Sequence, residues 1–338
     1  MLCIMTSRRA QRTKEFQMAL KHITDTILFQ PAIKGSDHLC ILAGYATPTM
    51  ASWLIKNLQH TLDRPIRLSL IVGMVPYDGL SITTHEGFVD LHGQSFPGAV
   101  SSFSCSYLFD DPPVHANYYI WLKDDIPQVA FCGSADFVQR AFVTNREEIM
   151  ISHDPQSCWE KYCAAEQRSI YCNHAEIEEY VRIYPTHPLL DGDDQNPNLL
   201  SGSGVESVTL SLLTKYGTIG TKSGLNWGQR KHRNPNEAYI PLPAQVARSG
   251  FFPLEKQHFN VLTDDGYNLL LRIEQQNDKA ITTPMSNAQL GEYFRGRLGV
   301  ANGAFVTKAD LDAYGRTDVT FYRIDDEQYY LDFSSSKV

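Results

Sequence analysis

The chain has 338 residues, of which 43% are hydrophobic and 20% charged, and its formal net charge is −8. That length exceeds one ordinary hydrophobic core and fits two domains, while the composition excludes a disordered chain. The acidic balance excludes a uniformly basic nucleic-acid coat but leaves room for a local basic patch.

The opening, "MLCIMTSRRAQRTKEF", meets charges too soon to read as a signal peptide. No later run approaches the roughly 20 apolar residues of a membrane span. Apolar runs then alternate with helical patterns: "HLCILAGYA", "PTMASWLIKNLQ", "IRLSLIVGMV", "THEGFVDLHG" and "FSCSYLF". This alternation predicts an α/β domain with a largely buried central sheet. Strands are expected at "HANYYIWL", "QVAFCG" and "EEIMIS", a helical turn at "ADFVQRAF", and helices at "SCWEKYCAAEQRSI" and "AEIEEYVRI".

Residues 184–204, rich in Pro, Gly, Asp, Asn and Ser, read as a linker between a domain over 1–183 and another over 205–338. The second half changes to short strands, at "SVTLSLL", "AYIPLP", "HFNVLTDD", "YNLLLRIEQQ", "VTFYRIDD" and "EQYYLDFS". Two helical stretches, "PAQVARSG" and "NAQLGEYFRGRLG", interrupt them. A mostly β barrel or pseudobarrel is the expectation.

The seven cysteines are odd in number and lack CxxC pairs, which fits reduced thiols in a cytoplasmic protein. Cys158, Cys163, Cys172 and His174 match no common zinc spacing, so helix packing is the preferred reading and no metal or cofactor is expected. "GTIGTKSG" has the wrong spacing for a phosphate loop, and "LSGSGVES" lacks the strand-to-helix turn of a nucleophile elbow.

The stretch that carries chemistry is "VHANYYIWLKDDIPQVAFCGSADFVQRAFVTNREEIMIS". His115 and Asn117 fall on one face of a strand, Gly133 and Ser134 end the next, and Asn145, Glu147 and Glu148 open a third. A lone histidine on an apolar strand is ordinarily a packed core residue. Here its order with Gly-Ser and "NREE" resembles the phospholipase D superfamily, whose signature is His-x-Lys followed by Gly-Ser-x-Asn. Within it the chain is most similar to the restriction-endonuclease branch typified by NgoFVII and BfiI, in which a nuclease domain precedes a DNA-recognition domain. The resemblance covers nearly the whole chain.

It implies phosphoryl transfer without metal, in which one imidazole attacks phosphorus and a second protonates the leaving oxygen. With one histidine motif per chain, two chains must meet at a twofold interface, each contributing His115. Ser134 and Glu147 take the family's serine and histidine-orienting carboxylate positions. Three positions depart: Asn117 replaces the lysine, Asp136 the asparagine of Gly-Ser-x-Asn, and Leu122 an aspartate. An ionised aspartate near a phosphodiester would repel it. Lys123 or Arg146 could supply the missing charge, or the nuclease could be weakened or dead.

In the second half, residues 207–236 contain Lys215, Lys222, Arg230, Lys231 and Arg233 without one Asp or Glu. With Asn226, Trp227 and Gln229, this loop suits phosphate contact and base-edge readout. Asn287, Gln289, Arg295 and Arg297 form a second cluster. The pair is similar to the two arms of the B-three-like pseudobarrel of plant transcription factors and of this endonuclease branch. The expected activity is therefore that of a homodimeric restriction endonuclease binding double-stranded DNA. The resemblance also implies a separate helicase-like, nucleotide-hydrolysing partner and a DNA methyltransferase. The competing readings are a DNA-targeting subunit with a degenerate nuclease domain and, less well supported for want of a membrane-binding stretch, a lipid phosphodiesterase.

Overall fold

A computed structural model describes residues 23–143, 147–184 and 205–335. The chain divides into two units, Met1–Tyr184 and Pro185–Val338. The expected linker lies outside the described residues except for Tyr184, which belongs to the first unit.

The first unit is built on a seven-stranded sheet, in order β7-β6-β5-β1-β2-β4-β8. Its strands are β1 (His38–Ala43), β2 (Ile66–Val72), β4 (Val100–Leu108), β5 (Asn117–Lys123), β6 (Ile126–Gly133), β7 (Ile149–Ile151) and β8 (Ser169–Tyr171). β1, β2 and β4 run parallel, whereas β5, β6, β7 and β8 each pair antiparallel with their neighbours. β5 is buried on both faces, with Tyr119 and Trp121 alternating with Ile120 and Leu122, as a central strand covered on both sides requires. Helix α1 (Pro48–Thr61) starts where the Thr47 side chain caps the Met50 amide, with proline at its first position. α2 spans Ile82–Leu91, α3 Gln139–Val143, and α4 Pro155–Glu166, capped by Asp154. Cys158, Tyr162 and Ala165 of α4 pack on Cys40, Leu42, Ile120 and Leu122. Leu122, which replaces an expected aspartate, is thus a core residue.

Two expected helices are shorter than read. Ser169 and Ile170 belong to β8, and "AEIEEYVRI" gives only α5 (Ile177–Tyr180) before β9 (Ile183–Tyr184). β9 pairs in parallel with β3 (Leu80–Ser81). Competition from strand pairing, invisible to local periodicity, decides both.

The second unit is a seven-stranded sheet in order β10-β15-β16-β12-β13-β14-β11. The strands are β10 (Ser207–Ser211), β11 (Ile240–Pro241), β12 (His258–Thr263), β13 (Asn268–Glu274), β14 (Ala280–Thr282), β15 (Asp318–Arg323) and β16 (Gln328–Asp332). The edge strands β10 and β11 lie beside each other, so the sheet nearly closes into a barrel. Its interior is rich in aromatics, Phe251, Phe252, Phe259, Phe294, Tyr329 and Phe333 among them. α6 (Ala244–Ala247) and α7 (Asn287–Leu298) occupy the expected stretches. α8 (Lys308–Tyr314) was not expected, although its Thr307–Asp310 capping box and the following Gly315 are written in the sequence. β14 also went unread, being too short to show alternation.

Candidate active site

The topology brings the motif residues to one end of the first sheet. β1 and β2 are parallel, so Gly44–Tyr45 and Gly73–Met74 leave their carboxyl ends together. β5 is antiparallel to β1, so its start, at His115–Asn117, lies at the same end, as do the end of β6 and the approach to β7. The carboxyl ends of parallel strands are where open α/β sheets place ligands.

His115 lies two residues before β5, not within it, and is exposed. The segment before it crosses the strand ends closely: the Val114 amide donates to the Gly73 carbonyl at 2.9 Å. A Cβ on Gly73 would meet the Val114 oxygen at 2.1 Å. At Gly44 a Cβ would lie 2.5 Å from His115 Cδ2, 3.3 Å from His115 Cα and 3.4 Å from Asp136 Oδ1. Glycine at 44 is therefore what allows His115 and Asp136 to approach β1. Tyr45 packs edge-on against the imidazole, with ring centroids 5.3 Å apart.

Asn117, in the lysine's place, is buried and structural. Its Oδ1 accepts the Gly44 amide at 3.0 Å, and its Nδ2 donates to the Gly133 carbonyl at 3.4 Å. Asp136 Oδ1 accepts the next amide, that of Tyr45, at 3.2 Å. The two departures from the family signature thus bind successive amides at the end of β1. Burial raises the Asp136 carboxyl above the usual range and nearby Glu147 raises it further, while the Tyr45 amide, His115 and Asn117 pull it back. The loop carrying Asp136 is held by Phe137 N to Tyr45 O at 2.9 Å and by the Tyr119 hydroxyl on the Ala135 carbonyl at 2.9 Å.

Glu147, read from the motif as the carboxylate that orients the histidine, accepts the Ser134 hydroxyl at Oε2 at 2.6 Å, and Ser134 Oγ in turn accepts the Glu148 amide at 3.1 Å. Asn145 and Arg146 lie outside the described residues. Lys123, expected as a substitute charge, is at the opposite end of β5, six residues or about 20 Å along the strand from Asn117. It cannot serve the His115 of its own chain. The sequence reading missed Gly44, Tyr45 and Asp78, whose Oδ2 accepts the Tyr45 hydroxyl at 2.6 Å. That bond, with burial, pushes the Tyr45 phenol up to about 12. Only the glycine ending the first strand carried a signal, of close backbone approach.

In the second unit the basic loop divides. Lys222, Arg230 and Lys231 are exposed, with Arg230 Nε donating to the Lys222 carbonyl at 2.8 Å. The Arg233 guanidinium lies 3.9 Å over the Trp227 ring and pairs with Glu237. Trp227 is half-buried against Tyr239. Gln229 Nε2 donates to Gly303 O at 3.0 Å. Gln289 is exposed and Asn287 half-buried at the start of α7, where the Asn287 carbonyl accepts the Ala238 amide at 3.0 Å. This bond places the second cluster beside the first.

Three expected contacts are corrected. Asn226 is fully buried, donating to Gly220 O and Val306 O and accepting from Val306 N. Arg295 is 0% exposed and donates to four carbonyls, those of Gly291, Leu225, Pro235 and Ala304. Arg297 is clamped by Asp264, Tyr314 and the Phe333 carbonyl. All three hold the domain together: Asn226 joins its turn to Val306, Arg295 ties α7 to the carbonyls of Leu225, Pro235 and Ala304, and Arg297 ties α7 to Asp264 and Phe333.

Residues 21–179 match the family model for the NgoFVII restriction endonuclease N-terminal PLD domain, and residues 200–325 match that for the NgoFVII C-terminal B3-like DNA-binding domain. No curated protein matches by sequence. Among solved structures, NucT from Helicobacter pylori aligns over 45% of this chain and 92% of its own, at 16% identity and a TM-score of 0.32. A polyphosphate kinase from Porphyromonas gingivalis aligns over 49% of this chain and 25% of its own, at 14% identity and a TM-score of 0.29.

Proposed function

Because the chain belongs to the NgoFVII restriction endonuclease family, with a PLD-like nuclease domain followed by a B3-like DNA-binding domain, we propose that it cuts double-stranded DNA through His115. The observation that carries this is the convergence of His115, Ser134, Asp136 and Glu147 on one sheet end, with Gly44 giving the imidazole room. His115 attacks phosphorus and its counterpart in a second copy protonates the leaving oxygen, so the working unit is a twofold dimer. Backbone and side-chain donors at the strand ends steady the non-bridging oxygens. The reaction needs no metal in this scheme. The proposed place of work is the cytoplasm, beside a helicase-like nucleotide-hydrolysing subunit and a methyltransferase.

The second unit reads sequence through Lys222, Trp227, Gln229, Arg230, Lys231, Arg233, Asn287 and Gln289. Arg230→Ala should cost about 1–3 kcal/mol on the preferred site and relax discrimination there. Equal weakening on all sequences would make Arg230 a phosphate contact. Light scattering on the full chain should report a dimer. A monomer that still cuts would rule out the two-histidine scheme.

One observation favours the second reading, a DNA-targeting subunit with a degenerate nuclease domain. Asn117 and Asp136 saturate the Gly44 and Tyr45 amides, and Asp136, itself close to Glu147, puts negative charge beside His115. Cutting that is lost in His115→Ala favours the first reading; sequence-specific binding without cutting favours the second.

A further inference from the structure

The surface beside His115 continues as a strip of tyrosines around one arginine. Tyr45, 39% exposed, packs on His115 and donates its hydroxyl to Asp78. Tyr77, adjacent to Asp78, is 72% exposed. The Asp78 carbonyl accepts Arg182 Nη2 at 2.9 Å, and the Arg182 guanidinium lies 5.9 Å from the ring centroid of Tyr184, itself 40% exposed. Pairing of β3 with β9 sets this arrangement, with Ser81 opposite Tyr184. Gly79 keeps it tight: at its φ of +74° a Cβ would lie 2.6 Å from the Arg182 carbonyl and 3.1 Å from Arg182 Nε and from the Tyr184 ring.

Exposed rings in a row are an unusual use of apolar area unless something covers them. Arg182 is exposed and has no ion-pair partner among the described residues. Flat π faces beside an unpaired guanidinium are the chemistry that binds a nucleotide strand: the rings stack on bases and the cation takes a phosphate. The strip begins at the candidate catalytic histidine, so a strand whose phosphate lies at His115 runs onto it.

We propose that Tyr45, Tyr77, Arg182 and Tyr184 form a subsite for the nucleotides flanking the scissile phosphate. Arg182 holds a neighbouring phosphate, and Tyr77 or Tyr184 stacks on an unpaired base. This rests on the reading that DNA occupies the His115 site. Arg182 also brings to the strand a positive charge that Asn117 does not.

The test uses the full chain and two mixed-sequence duplexes, one fully paired and one with a central unpaired bubble, carrying 5-bromodeoxyuridine for photocrosslinking. Adducts should map to Tyr77 or Tyr184. Arg182→Gln should lower the slope of log affinity against log salt by about 0.9, the value of one phosphate contact, and Arg182→Lys should restore it. Tyr77→Ala should reduce the preference for the bubble about tenfold, within the range of base–aromatic stacking, whereas Tyr77→Phe should keep it. Adducts elsewhere in the first unit, an unchanged slope, or an unchanged bubble preference would each overturn the proposal. So would variants that lose self-association while binding DNA normally, since the strip would then cover a second copy. These readouts are binding, so they stand whether or not His115 cuts. A full chain that binds no DNA at all would sink the nuclease reading as well.

Discussion

Gly44→Ala perturbs the candidate site with a single carbon. The new Cβ would stand 2.5 Å from His115 Cδ2, 3.3 Å from His115 Cα and 3.4 Å from Asp136 Oδ1. The ring can swing away because His115 is exposed, but the 3.3 Å contact with Cα pushes the segment itself off β1 by a few tenths of an ångström. Small-to-large changes in tight sites cost about 1–3 kcal/mol, and relaxation into solvent puts this one near the lower figure. The chemical cost is larger. The ring Cδ2 must retreat from 2.5 Å to ordinary contact, and a displacement of about 1 Å at a reacting group reduces rate about 10²-fold, or roughly 2.7 kcal/mol of transition-state stabilisation. Single-turnover DNA cleavage, paired with denaturant melts, separates the two. We expect a near-normal melt, normal DNA binding and a rate about 10²-fold down. At Gly73 and Gly133 the added carbon meets a carbonyl oxygen at 2.1 Å and 2.0 Å, so alanine there should unfold the first unit instead. Parent-like cleavage by a folded Gly44→Ala variant would refute the placement of His115 against β1.

Asn117→Lys with Asp136→Asn restores the family's charge pattern and should raise the cleavage rate, a factor of ten being about 1.4 kcal/mol. A gain in binding without a gain in rate would make these positions ground-state contacts. Arg295→Met strands four carbonyl acceptors and should cost on the order of 3 kcal/mol in a denaturant melt without changing which DNA sequence the folded fraction prefers. Altered base preference would return Arg295 to the DNA interface. Burial, assisted by Arg67, pushes half-buried His38 down to about 4. Its folded pKa lies below the unfolded value near 6.5, so its neutral form costs nothing above that value and destabilises the fold progressively as pH falls from about 6.5 to about 4. The loss approaches 2–3 kcal/mol. His38→Gln should flatten the stability–pH curve in that window; an equal slope in both proteins would contradict the assignment.

The sequence made the two fold classes legible because strand and helix periodicities were long and unmixed, as at "IRLSLIV" and "PTMASWLIKNLQ". The pairings β3–β9 and β4–β8 were not legible, since β3 and β9, of two residues each, and β8, of three, owe their existence to a distant strand. The order of His115, Ser134 and Glu147 was readable as a motif, but the Ser134–Glu147 hydrogen bond was not, since the motif assigned Glu147 to the histidine. Asn117 read as a weakened catalytic group, yet its carboxamide is spent bracing Gly44, a contact 73 residues away along the chain. Arginine type and helix pattern alone could not separate Arg295, facing inward, from exposed Arg230. Tyr45 and Asp78 carried no sequence signal at all; only the parallel pairing of β1 and β2 brings them beside His115.

The most direct test of the central claim is digestion of long double-stranded DNA by the purified full chain in EDTA, with and without cell-derived partners, alongside His115→Ala. Discrete fragments from the parent and none from the variant, with both binding DNA equally, is the result expected if His115 carries the chemistry. Cutting that persists in His115→Ala, or that EDTA abolishes, would contradict it.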